Sequence, residues 1–481
     1  MPPKMSFRDF ALLLLLTAAV VLIHGYHLGV EDQAIYLPAV KKLLDPGLYP
    51  RDALFFLAQT RLTLLIAIVA FTVRITHLPL DAVVFLWHFV SVYLFLWGCL
   101  RLSRRCFSAG VAQWAGVAMV VSVITIPIAG TLMLMMDQYL HPRTLATAAV
   151  LFAACAVLDR KLSTFAWVAL AGVIHPQIAL FGCVHLALLA WRVPRWTPAA
   201  LVMPDLPYWA PPNAAWRELL ATRPDWLIFQ WRWYEWLGAF GPIALLPCFA
   251  RLGEQRGTPA MRHICRRLAL SGGLTVAAGL LVNGVPQLHR FIPLQPMRTL
   301  HLLYIALFLF GGGLLGEFVL RKRAWRWALL FLPLCSGMFY AQRHVFPDSP
   351  HIEWPGRTPR NDWVEAFDWV RQNTPRDAYL ALDPRHMERP GEDHHGFRAF
   401  AERGMMADYT KDRGVVGLFP ELAYAWRDQV RAREAWKTFQ LAGFQQLRAK
   451  YGVTWVVVER PGVAGLNCPY ANPTVMVCRL E

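Results

Sequence analysis

The sequence predicts an α-helical multi-pass membrane protein of about eleven spans, followed by a small C-terminal α/β soluble domain. Three observations carry this. The chain of 481 residues is 56% hydrophobic and only 17% charged, and its mean hydropathy is +0.35. An ordinary soluble domain is less apolar. The apolar residues gather in runs approaching the roughly 20 residues that cross a bilayer, with Lys and Arg in the short connectors between them. From about Ala341 the hydropathy falls, and helical and strand-like periods alternate.

The first span is Phe10–Tyr26. Lys4 and Arg8 before it also fit a secretory signal. The run is long for a signal core and many more follow, so an uncleaved helix is expected. Leu80–Leu100, Val111–Ala129, Thr299–Leu320 and Trp325–Tyr340 are the other clean spans. Thr144–Leu158, Leu162–Ile174, Gln177–Trp191, Trp236–Ala250 and Leu268–Asn283 complete the set, with Trp196–Ala210 as its weakest, proline-broken member.

Basic clusters mark the cytoplasmic side. They are Lys4/Arg8, Arg101/Arg104/Arg105, Arg160/Lys161, Arg192/Arg195, Arg251–Arg267 and Arg321/Lys322/Arg323/Arg326. With all of them inside, the N-terminus is cytoplasmic and the C-terminal domain extracytoplasmic. One crossing then fits between Glu31 and Arg101, and Leu80–Leu100 takes it. Leu54–Thr76, with Arg61 and Arg74, is expected to lie on or dip into the outer face. A full span there, with Arg101–Arg105 outside, is the alternative. The transmembrane region covers 1–340, with outer loops at 27–79, 136–143, 211–235 and 283–298. The soluble domain covers 341–481.

Within that domain Trp363, Phe367 and Val370 repeat at helical spacing, so Trp363–Arg371 is a helix ended by Thr374-Pro375. Tyr379–Leu382, Thr454–Val458 and Thr474–Leu480 read as strands, and Glu421–Lys450 as mainly helical. No phosphate-cradling glycine motif is present.

The net charge of +16 sits mostly in connectors, without a basic domain, so nucleic acid is not an expected partner. The nine cysteines include no CxxC pair, which excludes the usual zinc and redox motifs. Cys468 and Cys478 stand alone in the C-terminal region and can pair if that region is outside the cytosol.

Glu31 and Asp32 follow the first span directly. Adjacent carboxylates at a membrane surface suit a general base or a metal-binding pair. The competing reading is a helix N-cap. Pro38 favours a helix start near Leu37, too late for Asp32 to cap. Asp137, His141 and Arg143 lie at the outer end of the third span, on the same expected face as Asp32. The two acidic positions are therefore expected to be able to meet. His141-Pro142-Arg143 opens the next helix, where amide donors and a guanidinium suit a phosphate. His289, Arg290 and Arg298 emerge on the outer loop at 283–298. Arg298 directly precedes an apolar span, which is costly unless a phosphate or headgroup meets it or it snorkels. His175-Pro176-Gln177 reads as a structural turn. Asp383, His386, His394, His395, Arg398, Glu402, Arg403 and Asp408 read mostly as a solvated face.

The outer loop carrying Glu31, Asp32 and Tyr36, the turn Leu43–Pro50, the arginine-rich Leu102–Arg105 and the outer Asp137 together resemble the GT-C superfamily of membrane glycosyltransferases. Within it, Trp231–Gly238, Leu294–Arg298 and Gly311–Gly316 look most like an uncharacterised bacterial family of multi-pass membrane proteins. The Pro-Pro-Leu stretch that often follows the first-loop acids is missing, and Leu54–Thr76 takes its place. The resemblance implies a bacterial plasma (inner) membrane location and transfer of a sugar from a polyprenyl-phosphate lipid at the outer face. Asp32 would activate the acceptor, with Glu31 as the alternative, and Asp137 would be the second-loop acid. Arg143 and Arg298 would hold the donor phosphate, with Tyr36, His141, His289 and Arg290 around the substrate. Membrane lipids are the other expected partner. No metal is assigned, and a divalent cation stays open as a cofactor. The second function class is a non-catalytic binder or transporter of lipid-linked sugars.

Overall fold

The computed structural model describes residues 5–191, 213–255, 258–357, 361–389 and 394–480. The chain is mostly helical, with one five-stranded sheet near its C-terminus. It divides into two compact units. One comprises Met1–Gly25, Leu86–Tyr208 and Arg223–Gln342; the other comprises Tyr26–Phe85, Trp209–Thr222 and Arg343–Glu481.

Among the described residues, 5 helices are long and apolar enough to cross a membrane: Phe7–His24, Leu80–Cys106, Trp233–Gln255, Pro259–Gly284 and Pro286–Leu320. The pair Leu54–Thr60 and Leu65–Thr76, bent by 99°, makes up to 6 if counted as one broken span. This is fewer than the eleven expected, and the causes are local. The expected span Val111–Ala129 stops as the helix Gly110–Ser122. Pro127 cannot continue it, and the chain folds back on itself. Ile128 N donates to Met133 O, Met135 N to Ile126 O and Met136 N to Ile124 O. Pro142–Leu158, Ser163–Ile174 and Pro176–Ala190 are helical, but only 17, 12 and 15 residues long. Trp325–Tyr340 lies inside the continuous helix Ala324–Val345, which contains Pro333 and which Arg326 and Arg343 make less apolar. Trp196–Ala210, Arg192 and Arg195 lie outside the described residues.

The first unit packs its helices through small residues. A Cβ on Gly116 would stand 2.4 Å from Leu309 O, and one on Gly312 would stand 2.4 Å from Met119 Cβ. Helices in lipid associate by this kind of close backbone approach. Phe7, Leu15, Leu22, Trp233, Leu237, Leu329 and Leu332 are exposed on the same unit. Such large apolar exposure fits a lipid-facing surface.

In the second unit the strands are β1 (Tyr379–Ala381), β2 (Gly404–Met405), β3 (Trp455–Glu459), β4 (Asn467–Ala471) and β5 (Val475–Arg479), in the order β2-β1-β3-β5-β4. β1 is parallel to β2 and β3; β5 is antiparallel to β3 and β4. Alternate side chains face opposite layers. Leu380, Trp455, Val457, Val475 and Val477 pack with Trp363, Phe367 and Val370 of the helix Asp362–Asn373. Tyr379, Ala381, Val456, Val458 and Cys478 pack with Phe444 and Leu447 of the helix Leu441–Tyr451. Asn361 caps Asp362–Asn373: its Oδ1 accepts from Trp363 N at 2.9 Å and Val364 N at 3.2 Å. The expected helical stretch Glu421–Lys450 is two helices, Ala423–Arg431 and Leu441–Tyr451. A disulfide between Cys468 and Cys478 joins β4 to β5.

Candidate functional site

The acidic turn is built by backbone contacts with a distant segment of its own unit. Gly29 has φ +76°, and a Cβ there would lie 2.4 Å from the Phe400 ring, so only glycine fits. Val30 forms an antiparallel bridge with His395. Glu31 N donates to His394 O at 3.2 Å, and Gly396 N donates to Gly29 O at 2.9 Å. The helix that follows is Gln33–Leu44, with Pro38 inside it. The expected start near Leu37 is therefore corrected. The amides of Gln33, Ala34 and Ile35 close back onto the carbonyls of Val30, Glu31 and Asp32 at 3.0 Å each. The first turn thus satisfies its own donors. Asp32 occupies the N-cap position, yet its side chain makes no capping bond.

Its carboxylate is engaged elsewhere. Lys411 Nζ donates to Asp32 Oδ1 at 3.1 Å and also to the Glu31 carboxylate. The Lys411 side chain is 12% exposed, those of Glu31 and Asp32 40% and 35%. Burial alone would lower the Lys411 pKa, but the two carboxylates outweigh it and raise the pKa above its ordinary value. The pair is thus half-open carboxylate chemistry backed by one buried cation. Tyr36, one turn further on, is buried, and its Oη accepts from Gln59 Nε2 at 3.4 Å.

The second candidate site lies in the other unit. Asp137 and Arg143 are both buried, and Arg143 Nη2 donates to Asp137 Oδ1 at 2.7 Å and Oδ2 at 2.6 Å. His141 is the N-cap of Pro142–Leu158, and its Nδ1 accepts from Arg143 N at 3.0 Å. The rings of His141 and His175 lie 5.9 Å apart. Arg143 and Arg298 both act electrostatically on His175. Gln177 Nε2 donates to Leu294 O at 2.9 Å, which ties this turn to the segment that carries Arg298. His141, Arg143 and Arg298 therefore lie near His175, which the sequence marked only as a turn, and Asp137 is held by Arg143. His301 joins them: its Nε2 donates to Met135 O at 2.7 Å, and it feels both Arg143 and Asp137. His289 and Arg290 make local contacts instead. His289 Nε2 donates to Asn283 O at 3.2 Å, and the Arg290 guanidinium lies 4.8 Å from the Phe291 ring centroid. Asp32 and Asp137 belong to different units.

Several charged residues read as a solvated face are buried: Asp383, His386, His395, Arg398, Arg403 and Asp408. Arg398 donates to Asp52 Oδ2 at 2.6 Å and to both Asp412 oxygens at 2.9 Å. Glu353 accepts from His27 Nδ1, His395 Nε2 and Leu28 N, each at 3.0 Å. Burial would raise the Glu353 pKa, but the two imidazoles hold it down to about 2. Sequence spacing gave no signal for these groups, because their partners come from segments far apart in the chain. Among the described residues no three or more His, Cys, Asp or Glu side chains are placed to hold a metal ion.

No family model matches this sequence. No characterised protein matches it either.

Proposed function

We propose that this protein is a GT-C-like membrane glycosyltransferase that moves a sugar from a polyprenyl-phosphate lipid to an acceptor hydroxyl outside the cytoplasm. The acidic turn carries the reading. Glu31 and Asp32 keep substantial exposure in a turn whose neighbours Val30 and Gln33 are buried, and one buried lysine, Lys411, pairs with both. Asp32 is the general base, and Glu31 shares its lysine. Proton abstraction by a placed carboxylate contributes about 10²–10⁴-fold. The cluster of Arg143, Arg298, His141 and His175 is the donor phosphate site, because guanidinium and helix N-terminal amides suit that anion. Tyr36, His289 and Arg290 stay outside these roles. In this reading the protein lies in a bacterial plasma membrane with its N-terminus cytoplasmic, and the short apolar helices bring the crossings toward eleven.

A non-catalytic binder of lipid-linked sugars is the second reading. It is favoured by the way Arg143 is already committed to Asp137 and Asp32 to Lys411.

The test is consumption of a synthetic polyprenyl-phosphate sugar by the full chain in nanodiscs, with release of polyprenyl phosphate. Asp32→Asn, which is isosteric and removes only the charge, should lower turnover at least about 100-fold and leave lipid binding intact. Unchanged turnover removes Asp32 as the base. Binding without any turnover in the wild type selects the second reading. Arg298→Lys should weaken lipid binding at least about tenfold, since lysine lacks the bidentate fork. Equal affinity removes Arg298 from the phosphate site.

A further inference from the structure

The helix Leu65–Thr76, in the second unit, is apolar on two opposite faces. On one face Leu65, Ile66, Val69 and Ala70 are buried, and this helix packs with Gln33–Leu44. On the other, Leu64, Ile68, Phe71 and Ile75 recur every three or four residues and so form a stripe. Phe71 and Ile75 are 63% and 61% exposed, and Leu64 and Leu78 at the two ends are exposed with them. A helix that is apolar all round belongs in a core or in a membrane. This one is covered on one side only, so its stripe needs an apolar environment.

Its length decides how it meets a membrane. The 12 residues rise about 18 Å, against about 30 Å of bilayer core. The preceding helix Leu54–Thr60 meets it at 99° and does not extend it. The helical threonines need no water. Thr60 Oγ1 donates to Phe56 O at 2.9 Å, Thr72 Oγ1 to Ile68 O at 2.8 Å and Thr76 Oγ1 to Thr72 O at 2.7 Å. The chain then runs through His77, Leu78 and Pro79 into Leu80–Cys106, which is long and apolar enough to cross. The stripe is thus tethered close to a span.

Charge selects the occupant. Between Asp52 and Asp81 the sequence has no acid, while it carries Arg61 and Arg74. Arg74 is exposed beside the stripe. Its Nη2 donates to Leu43 O at 2.6 Å, and no carboxylate among the described residues pairs with it. A second copy of this face would set cation against cation. An anionic headgroup would meet Arg74 while its acyl chains cover the stripe.

We propose that Leu65–Thr76 is an in-plane anchor that docks the second unit on anionic phospholipid, through the stripe and Arg74. The helix Gln33–Leu44 opens at the acidic turn and packs on this anchor, so lipid contact sets the height of Asp32 at the interface. Only that consequence draws on the transferase reading.

The experiment replaces Leu64, Phe71 and Ile75, one at a time, by a fluorescent non-natural amino acid in the full chain. Each variant is placed in nanodiscs of phosphatidylcholine and phosphatidylglycerol brominated at shallow or deep acyl positions. All three positions should be quenched, at one shallow depth. Phosphatidylglycerol should quench position 75 in preference to phosphatidylcholine, by up to about fivefold for one arginine near the surface, and Arg74→Gln should remove the preference. Reading three positions keeps the test decisive if one variant misfolds. Absence of quenching would show that water or a second copy covers the stripe. Depths of 64 and 75 differing by nearly their separation of about 17 Å would make the helix part of a crossing. Equal quenching by the two lipids would remove the anionic headgroup. Each of these results overturns the proposal. Depth is read without turnover, so loss of the transferase reading leaves this result standing.

Discussion

At the scale of single residues, Glu353 shows what the distant pairings do. A buried carboxylate is costly unless its charge is met, and here two imidazoles and an amide meet it. Its pKa is depressed from 4.5 to about 2. A depressed carboxylate stabilises the fold fully above its unfolded pKa, and that contribution is lost as pH falls through the folded pKa. The window is therefore about pH 4.5 down to about 2. The shift corresponds to roughly 3 kcal/mol as an order of magnitude. Glu353→Gln should lower the stability of the full chain at pH 7, and its difference from wild type should shrink across that window. Denaturant midpoints at several pH values measure this. A difference that stays constant with pH would show that Glu353 acts by packing alone. Nothing in the local sequence marks Glu353. Its partner His27 is 326 residues away, and spacing rules report only neighbours on one helix or strand. Asp32 was visible because two adjacent acids after an apolar run are rare for a local reason. Its partner Lys411 was not.

At the scale of elements, legibility followed periodicity. Asp362–Asn373 was readable because Trp363, Phe367 and Val370 repeat on one face and an Asn caps it. Pro142 correctly opened a helix, since proline suits the first turn. β2 was unreadable at two residues, and β4 alternates at a largely exposed edge with Pro469 in it. Pro38 misled because the helix start is set by closing bonds onto Val30–Asp32 rather than by the proline. The join between elements is made by Arg398. From the short helix Phe397–Ala401 it reaches Asp52, just before Leu54–Thr60, and Asp412 in Lys411–Leu418. Burial would lower its pKa, but Asp412 and Asp52 raise it and keep it charged. Removing one partner of a buried pair leaves an uncompensated charge, at about 3–5 kcal/mol. Arg398→Met should cost that much, measured by denaturant unfolding at neutral pH. A loss under about 1 kcal/mol would mean that the two aspartates find other partners or take up protons.

At the scale of the whole molecule, the class of protein was legible and the count of crossings was not. Apolar composition is compatible with a membrane protein whatever the helix lengths are. Counting needs each run to be one straight helix, and the chain at 124–136 turns back on itself instead. Orientation rests on a different kind of fact. In the proposed orientation the C-terminal domain lies outside, a side on which the Cys468–Cys478 bridge between β4 and β5 would persist, because disulfides persist in oxidising compartments. The bridge closes a loop with a sequence separation of 10, which stabilises the domain by about 2–3 kcal/mol in the chain-entropy account. If the domain is extracytoplasmic, a membrane-impermeant maleimide added to intact spheroplasts should leave Cys468 and Cys478 unlabelled until an impermeant reductant is present. Two labels should then appear, and the double variant Cys468→Ser/Cys478→Ser should lack both, which separates them from the exposed Cys248. Labelling without the reductant would show free thiols and remove the bridge from the argument. Absence of labelling with it, alongside labelling after the membrane is permeabilised, would place the domain in the cytoplasm. That result would reverse every orientation drawn from the basic clusters and move Asp32 to the wrong side for the proposed transfer.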